Sequence, residues 1–554
     1  MEREQSRHSL RSRRRLVADL GSPAPALRRA QSVPAAGTAP PLPPLAVIVL
    51  NRLAFGPRPA DIAAFNNLGP NDDARLTAWV DQQLNPGAIT DPNADARIAA
   101  AGYVTLDKSR TELWDEHFVN APDFSFRALP FEETERVTML RMVYSRRQLL
   151  EVMTDFWHNH FNVYGRHGIV LPMMVHYDRD VIRGNVFGNF RQMLEDVGRS
   201  TAMLYYLDNY TSSNAGPNEN YSRELFEIHA MGRENYLGVR QQNEVPTDGM
   251  GRPIGYVDAD VYEATRCFTG WTVSNSSSDT TVGNTGAFYY RADWHDRFQK
   301  TVLGEFIPAD QPALKDGEDV YDALAAHPGT GRYIAGKLCR RLIGENAPQS
   351  IIDQAAALFT AQAAAPDQLK QVVRTIILSD AFKNTWGGRV KRPTEIAAGT
   401  MRTTRANLPF RMGESDTSTL LGYLRDAGHR LFYWPAPDGY SDDKDDWMSA
   451  TPRVGAWRVC NWLTDVTDDG GVHRMNVVGE TPAGVRSANA LADYWINRIL
   501  GRPMTAASRQ EVVEFMAAGR NPDLDLPLDT SETTEDRLRS MIGLIVLAPD
   551  FLWS

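Results

Sequence analysis

The chain has 554 residues, 42% of them hydrophobic and 23% charged, with a formal net charge of -10. That length and composition allow a large buried core divided over two or three subdomains, while the acidic balance argues against general nucleic-acid binding or docking on anionic lipid. No apolar run is long enough to span a membrane, and the three cysteines, Cys267, Cys339 and Cys460, are too far apart for a CxxC zinc site or redox dithiol.

Residues 1–44 are rich in Arg, Ala, Pro and Ser, lack apolar periodicity and read as a disordered tail. Within them Ser12 to Leu16 resembles a twin-arginine export signal, but the apolar stretch that should follow is missing. A plain tail is therefore the favoured reading. Ordered structure is expected from about residue 45, with an N-terminal helical subdomain over 45–310 and a C-terminal one over 311–554. Pro59 opens an early helix, where its missing N–H costs nothing. A strong helical region is predicted over 132–161, because Leu149, Leu150, Val152, Met153, Phe156 and Trp157 recur at helical spacing. Further helices are predicted at 178–196, 219–231, 258–268, 317–325, 329–343, 350–364 and 367–378, and then at 392–404, 416–427, 451–464, 487–500, 507–518 and 534–547. Strand signals are few. Residues 272–291 read as a hairpin or long loop, and 435–446 as a second long loop. Residues 369–382 echo 538–551, which suggests two similar helix hairpins in the C-terminal half. The expected fold class is mainly α, a large multi-helix protein with a few short strands or hairpins in its loops.

Polar chemistry concentrates in four places. Glu151, Asp155, His158 and Asn162 share one face of a helix. An Asp and a His three apart suit metal ligation or a shared proton. His158 and His160 are the candidate metal ligands, against the alternative that they satisfy buried backbone groups. The second place is Asp208 and Asn209, followed by residues 218–229. There Asn218 caps a helix, and Asn220, Glu224 and Glu227 lie close together on an ideal wheel. His229 falls away from that face and suits the carbonyls of the last turn. Arg223 is placed to neutralise the two glutamates. In the third, Glu263 and Arg266 read as a helix ion pair. The fourth is His295 with Asp296, near Lys300 in a loop, where an imidazole beside a carboxylate suits catalysis. Lys391-Arg392-Pro393 starts a helix and either binds an anion or caps it. The acidic run 442–446 lacks the EF-hand pattern and reads as a solvated loop. No P-loop, dinucleotide fingerprint, HExxH or GxSxG motif is present.

In order along the chain, LNRLAFG at 50–56, FWHNHF at 156–161, AMLYYLDN at 202–209, NENYSRELFEIHAMG at 218–232 and DVYEATRCFTGW at 260–271 resemble a bacterial family known as domain of unknown function 1800. His295-Asp296, KTVLG at 300–304, HPGTGRYIAGKLCRRL at 327–342, Lys391-Arg392-Pro393, Pro437-Asp438-Gly439 and LAPDF at 547–551 continue the resemblance, which covers roughly 45–554. It implies a mostly helical, often exported protein, periplasmic or extracellular, and a sulfatase-like exported partner. A cytoplasmic location follows if the tail is no export signal. The resemblance implies no reaction.

The residues themselves favour an enzyme, hydrolytic and dependent on a divalent transition metal. Its candidate catalytic groups are Glu224, Glu227, His295 and Asp296. Asp208, Asn209, Asn220, Arg223 and Lys300 would bind substrate, and His158 and His160 the metal. Without a metal, a Glu/His acid–base pair is the fallback. The alternative is a non-catalytic helical scaffold or binding protein acting beside a partner enzyme, in which the same side chains form a buried network. A di-metal carboxylate oxidoreductase fits less well, because only Asp155 and His158 make the required pairing.

Overall fold

The helix Gln148–His160 shows how the sequence builds the frame. Leu149, Val152, Met153, Phe156 and Trp157 are all buried along its inner face, as their spacing requires. The computed structural model describes residues 42–276, 282–464 and 474–554. Nearly all of the tail expected over 1–44 lies outside the described residues. The fold is mainly α. Among the described residues there are two sheets, each a two-stranded antiparallel hairpin. One apolar core draws residues from Leu45 to Leu552, within a unit that runs from Pro43 to Ser554.

Helix ends follow local chemistry. Pro328 and Pro393 each open a helix, Pro328–Leu342 and Pro393–Thr404. His327 accepts from the Gly329 N–H at 2.9 Å, and Glu395 reaches back to the Arg392 N–H at 2.9 Å. The helical region expected over 132–161 consists of two helices, Phe124–Tyr144 and Gln148–His160. The break is held at Ser145, whose hydroxyl donates to Asp91 at 2.6 Å. The Gln148 amide collects the freed carbonyls of Met142 and Ser145 at 3.2 and 3.0 Å.

The helix expected over 178–196 is also broken. A wider π turn, Tyr177–Ile182, follows Val170–His176. A new helix, Phe190–Arg199, starts where Asn189 accepts from the Gln192 N–H.

The hairpin expected within 272–291 pairs Trp271–Asn275 with Asn284–Tyr290, Trp271 opposite Tyr290. A second hairpin, Lys300–Val302 with Glu305–Ile307, was not foreseen. Its two turn residues, Leu303 and Gly304, both have positive φ, 51° and 79°. Two-residue hairpin turns favour that backbone hand, but a leucine does not advertise it.

Candidate functional site

Three polar clusters emerge, and the candidate residues divide among them. In the first, His158 is buried and its Nε2 lies 2.9 Å from Asp178 Oδ1. Arg183 binds the same carboxylate through Nε at 2.8 Å and Glu151 through Nη1 at 2.9 Å. Burial alone would raise the Asp178 pKa, but Arg183 and His158 outweigh it and hold the carboxyl below the usual range. Asp155, on the same helix, turns to Arg341 at 3.6 Å. His160 uses its Nε2 as a donor to the backbone carbonyl of His229 at 3.0 Å. His158 and His160 thus serve different partners and do not fit a shared metal. Among the described residues, no three His, Cys, Asp or Glu side chains converge as metal ligands.

The second cluster holds His295, Asp296 and Lys300. His295 Nδ1 donates to the Thr269 carbonyl at 2.9 Å and its Nε2 meets Asp316 at 3.1 Å. The buried Lys300 ammonium donates to Asp316 at 2.6 Å, and Arg266 grips Asp296 at 2.9 and 3.1 Å. Arg266 also pairs with Glu263 at 2.8 Å, as expected. Every charge here has an opposite partner, which is the condition for burying charge without prohibitive cost.

The third cluster sits on residues 220–230. The helix expected over 219–231 is a short α-helix, Asn220–Glu224, running into a π turn, Leu225–Ala230. The Met231 N–H accordingly bonds back to Phe226 at 3.1 Å, five residues away. Arg223 pairs with Glu219, Glu227 and Asp258 and not with Glu224. Glu227 takes Arg233 as a second cation at 3.2 Å. Glu224 is half-buried, and its Oε2 has neither exposed surface nor a hydrogen-bond partner. Burial raises its pKa, and the nearby carboxylates of Glu227 and Asp438 add to the effect against Arg233 and Arg223.

His229 does not serve the helix-end carbonyls. Both of its ring nitrogens are buried without partners, and burial drops its pKa to about 3. Asn218 accepts from the Asn220 N–H at 3.1 Å. Asn220 itself is exposed, as is Asp208, which adopts a left-handed φ of 58°. Asn209 is buried with both amide atoms unpartnered.

Opposite Glu224 lies the loop that follows Leu431. Asn162 donates to the carbonyls of Trp434 and Ala436 at 3.0 and 2.6 Å. The Tyr206 hydroxyl donates to Pro435 at 2.8 Å. Trp434 Nε1 donates to Asp438 Oδ1 at 2.8 Å, fixing this exposed carboxylate. Burial raises the Tyr206 pKa, with Glu224 and Asp438 as its two charged neighbours. That places the tyrosine within reach of both fields.

Residues 48–553 match the family described as Protein of unknown function (DUF1800). The chain belongs to the DUF1800 family. No curated protein and no solved structure matches it. Asn162, Tyr206 and the 434–438 loop come together around Glu224. Sequence reasoning missed Asp438, Tyr206 and Asn159 as participants. The Pro-Asp-Gly motif carried a signal for the first, but nothing local links it to Glu224 across more than two hundred residues. Asp178 and Asp316, which anchor the first two clusters, carried no motif at all. The acidic run is also corrected: Asp442 pairs with Arg392 at 2.7 Å, and Asp443 caps the helix Lys444–Met448.

Proposed function

We propose that the protein is a hydrolase whose general acid is Glu224. The supporting observation is the Glu224 carboxyl itself, half-buried, with one oxygen unpartnered and its pKa raised by burial and by the carboxylates of Glu227 and Asp438. A carboxyl whose pKa is raised holds its proton to higher pH than an ordinary glutamate and can donate it to a departing oxygen. Glu227, tied to Arg223 and Arg233, provides a carboxylate in a different environment. Two carboxyls in unlike surroundings are the usual basis for dividing acid and base roles. Asp438 and the Tyr206 hydroxyl border the same place and would orient a polar substrate. His158, His295, Asp296 and Lys300 belong to the framework in this reading, because each is engaged by partners of its own.

The test is hydrolysis of a panel of methyl glycosides and methyl carboxylic esters, whose alkoxide leaving groups need a proton, by the wild type and by Glu224→Gln. The expected result is turnover of at least one substrate class, reduced about 100-fold or more in the variant, with unchanged circular dichroism. A wild type inactive on the whole panel, or a fully active variant, overturns the proposal. The complete pairing of the His295 cluster, and the ion pairs that engage His158 and Asp178, favour a second reading, a helical scaffold without catalysis. That reading expects no turnover and loss of stability when those clusters are broken.

A further inference from the structure

The motif at Lys391-Arg392-Pro393 leads to a place the Glu224 site does not use. A cavity of about 20 Å³ lies between the C-terminal end of the helix Pro328–Leu342, the segment 389–392 and the loop 442–447. Arg340, Arg341, Arg389, Arg392 and Lys444 line it, against Glu345 and Asp442. Behind this lining, Asp155 and Glu395 approach Arg341 at 3.6 and 3.0 Å. Glu395 also pairs with Arg389. Lys337 adds another cation, 4.0 Å from Asp442. Among the groups that lie largely out of solvent, Arg341, Arg389, Arg392 and Lys337 face Asp155, Glu395 and Asp442, one cation more than anions, and an uncompensated buried charge is costly. Arg340 is exposed, and Lys444 is paired with Glu345.

One donor has been left over. Arg341 is 7% exposed. Its Nη2 serves Glu395 and Asp155, but its Nη1 is buried with no acceptor. Arg392 is already committed through Nη2 to Asp442 at 2.7 Å and the Ser441 carbonyl at 3.0 Å. An unmet guanidinium N–H beside an excess of cations calls for a negatively charged acceptor. The size of the cavity decides which one. About 20 Å³ gives room for one particle of water to halide size, which makes a small monovalent anion the simplest occupant.

We propose that this cavity is a binding site for one small monovalent anion of chloride size, which ties the 442–447 loop to the two cationic segments. A water molecule would fill the space but leave the charge excess standing.

The test uses the full chain. Thermal unfolding is followed in sodium chloride, sodium bromide and sodium gluconate at matched ionic strength, and crystals grown in bromide are measured at the bromine edge. The site predicts a saturable rise in Tm of about 2 °C or more with chloride and bromide but not with gluconate. It also predicts an anomalous bromide peak beside Arg341 and Arg392. Arg341→Met should abolish the halide effect. Should that variant fail to fold, the bromide peak in the wild type decides alone. Identical Tm values in the three salts, or a bromide crystal with no peak in the cavity, overturn the proposal.

Discussion

Asn159 and Tyr440 exchange two hydrogen bonds. The asparagine Nδ2 donates to the Tyr440 carbonyl at 2.9 Å, and its Oδ1 accepts the Tyr440 N–H at 2.7 Å. Nearly three hundred residues apart in sequence, they fasten the 434–440 loop to the end of the helix Gln148–His160. The loop thereby holds Asp438 near Glu224. Gly439 completes the clasp: its φ is 74°, and a Cβ there would run into the Asn159 carbonyl.

Removing this clasp should loosen the loop before it unfolds the protein. Asn159→Ala strips two backbone groups of their partner and should cost about 1–3 kcal/mol. Gly439→Ala adds a left-handed strain of about 1 kcal/mol to its clash. Urea denaturation measures the loss, and limited proteolysis should show new cleavage within 434–447. Unchanged stability together with an unchanged digest would contradict the role of the clasp.

The His158 cluster makes a different prediction. Asp178→Asn leaves Arg183 short of a partner in a buried place and should cost about 3–5 kcal/mol. The pH dependence has a definite sign. Arg183 and His158 outweigh burial and hold the folded Asp178 pKa below its ordinary 3.8. Its contribution is therefore full above 3.8 and disappears as pH falls through the lower folded value. Acid unfolding of the wild type should be steeper in that range than that of Asp178→Asn. Equal acid profiles would show that the pair contributes nothing.

The sequence foretold elements better than partners. Helical periodicity marked Gln148–His160 and most later helices because their inner faces are apolar at regular spacing. The Glu263–Arg266 pair was legible because both residues lie on one helix, three apart. By contrast, periodicity did not reveal that the helix over 219–231 passes into the π turn Leu225–Ala230. The partners of His158, Asp155 and His295 come from distant segments and follow no local pattern. The candidate site itself was half visible: Glu224 and Glu227 stood out, but Asp438 reaches them only through the folded loop.

Lys391 offers a second pH test, with the same sign in an alkaline window. Its ammonium is buried, donates to Asn51 Oδ1 at 2.7 Å and lies 3.9 Å from the Phe551 ring centroid. Burial, opposed by Glu395 and aided by Arg389 and Arg502, lowers its pKa from 10.5 to about 7. Between those values the unfolded chain binds more protons than the folded one, so stability rises with pH across that window. In Lys391→Met this contribution is absent. The difference in urea midpoint between wild type and variant should therefore shift in favour of the wild type from pH 7 toward pH 10. A constant difference would mean that Lys391 titrates alike in both states.

The proposed acid role rests on where the Glu224 carboxyl gains its proton. The direct measurement is pH-dependent carbodiimide coupling followed by peptide mass spectrometry of the wild type and of Asp438→Asn. Burial and neighbouring carboxylates predict half-maximal labelling of Glu224 above its ordinary 4.5, and a lower midpoint once the Asp438 charge is gone. A Glu224 that titrates at or below 4.5, unmoved by the Asp438 substitution, would contradict the account.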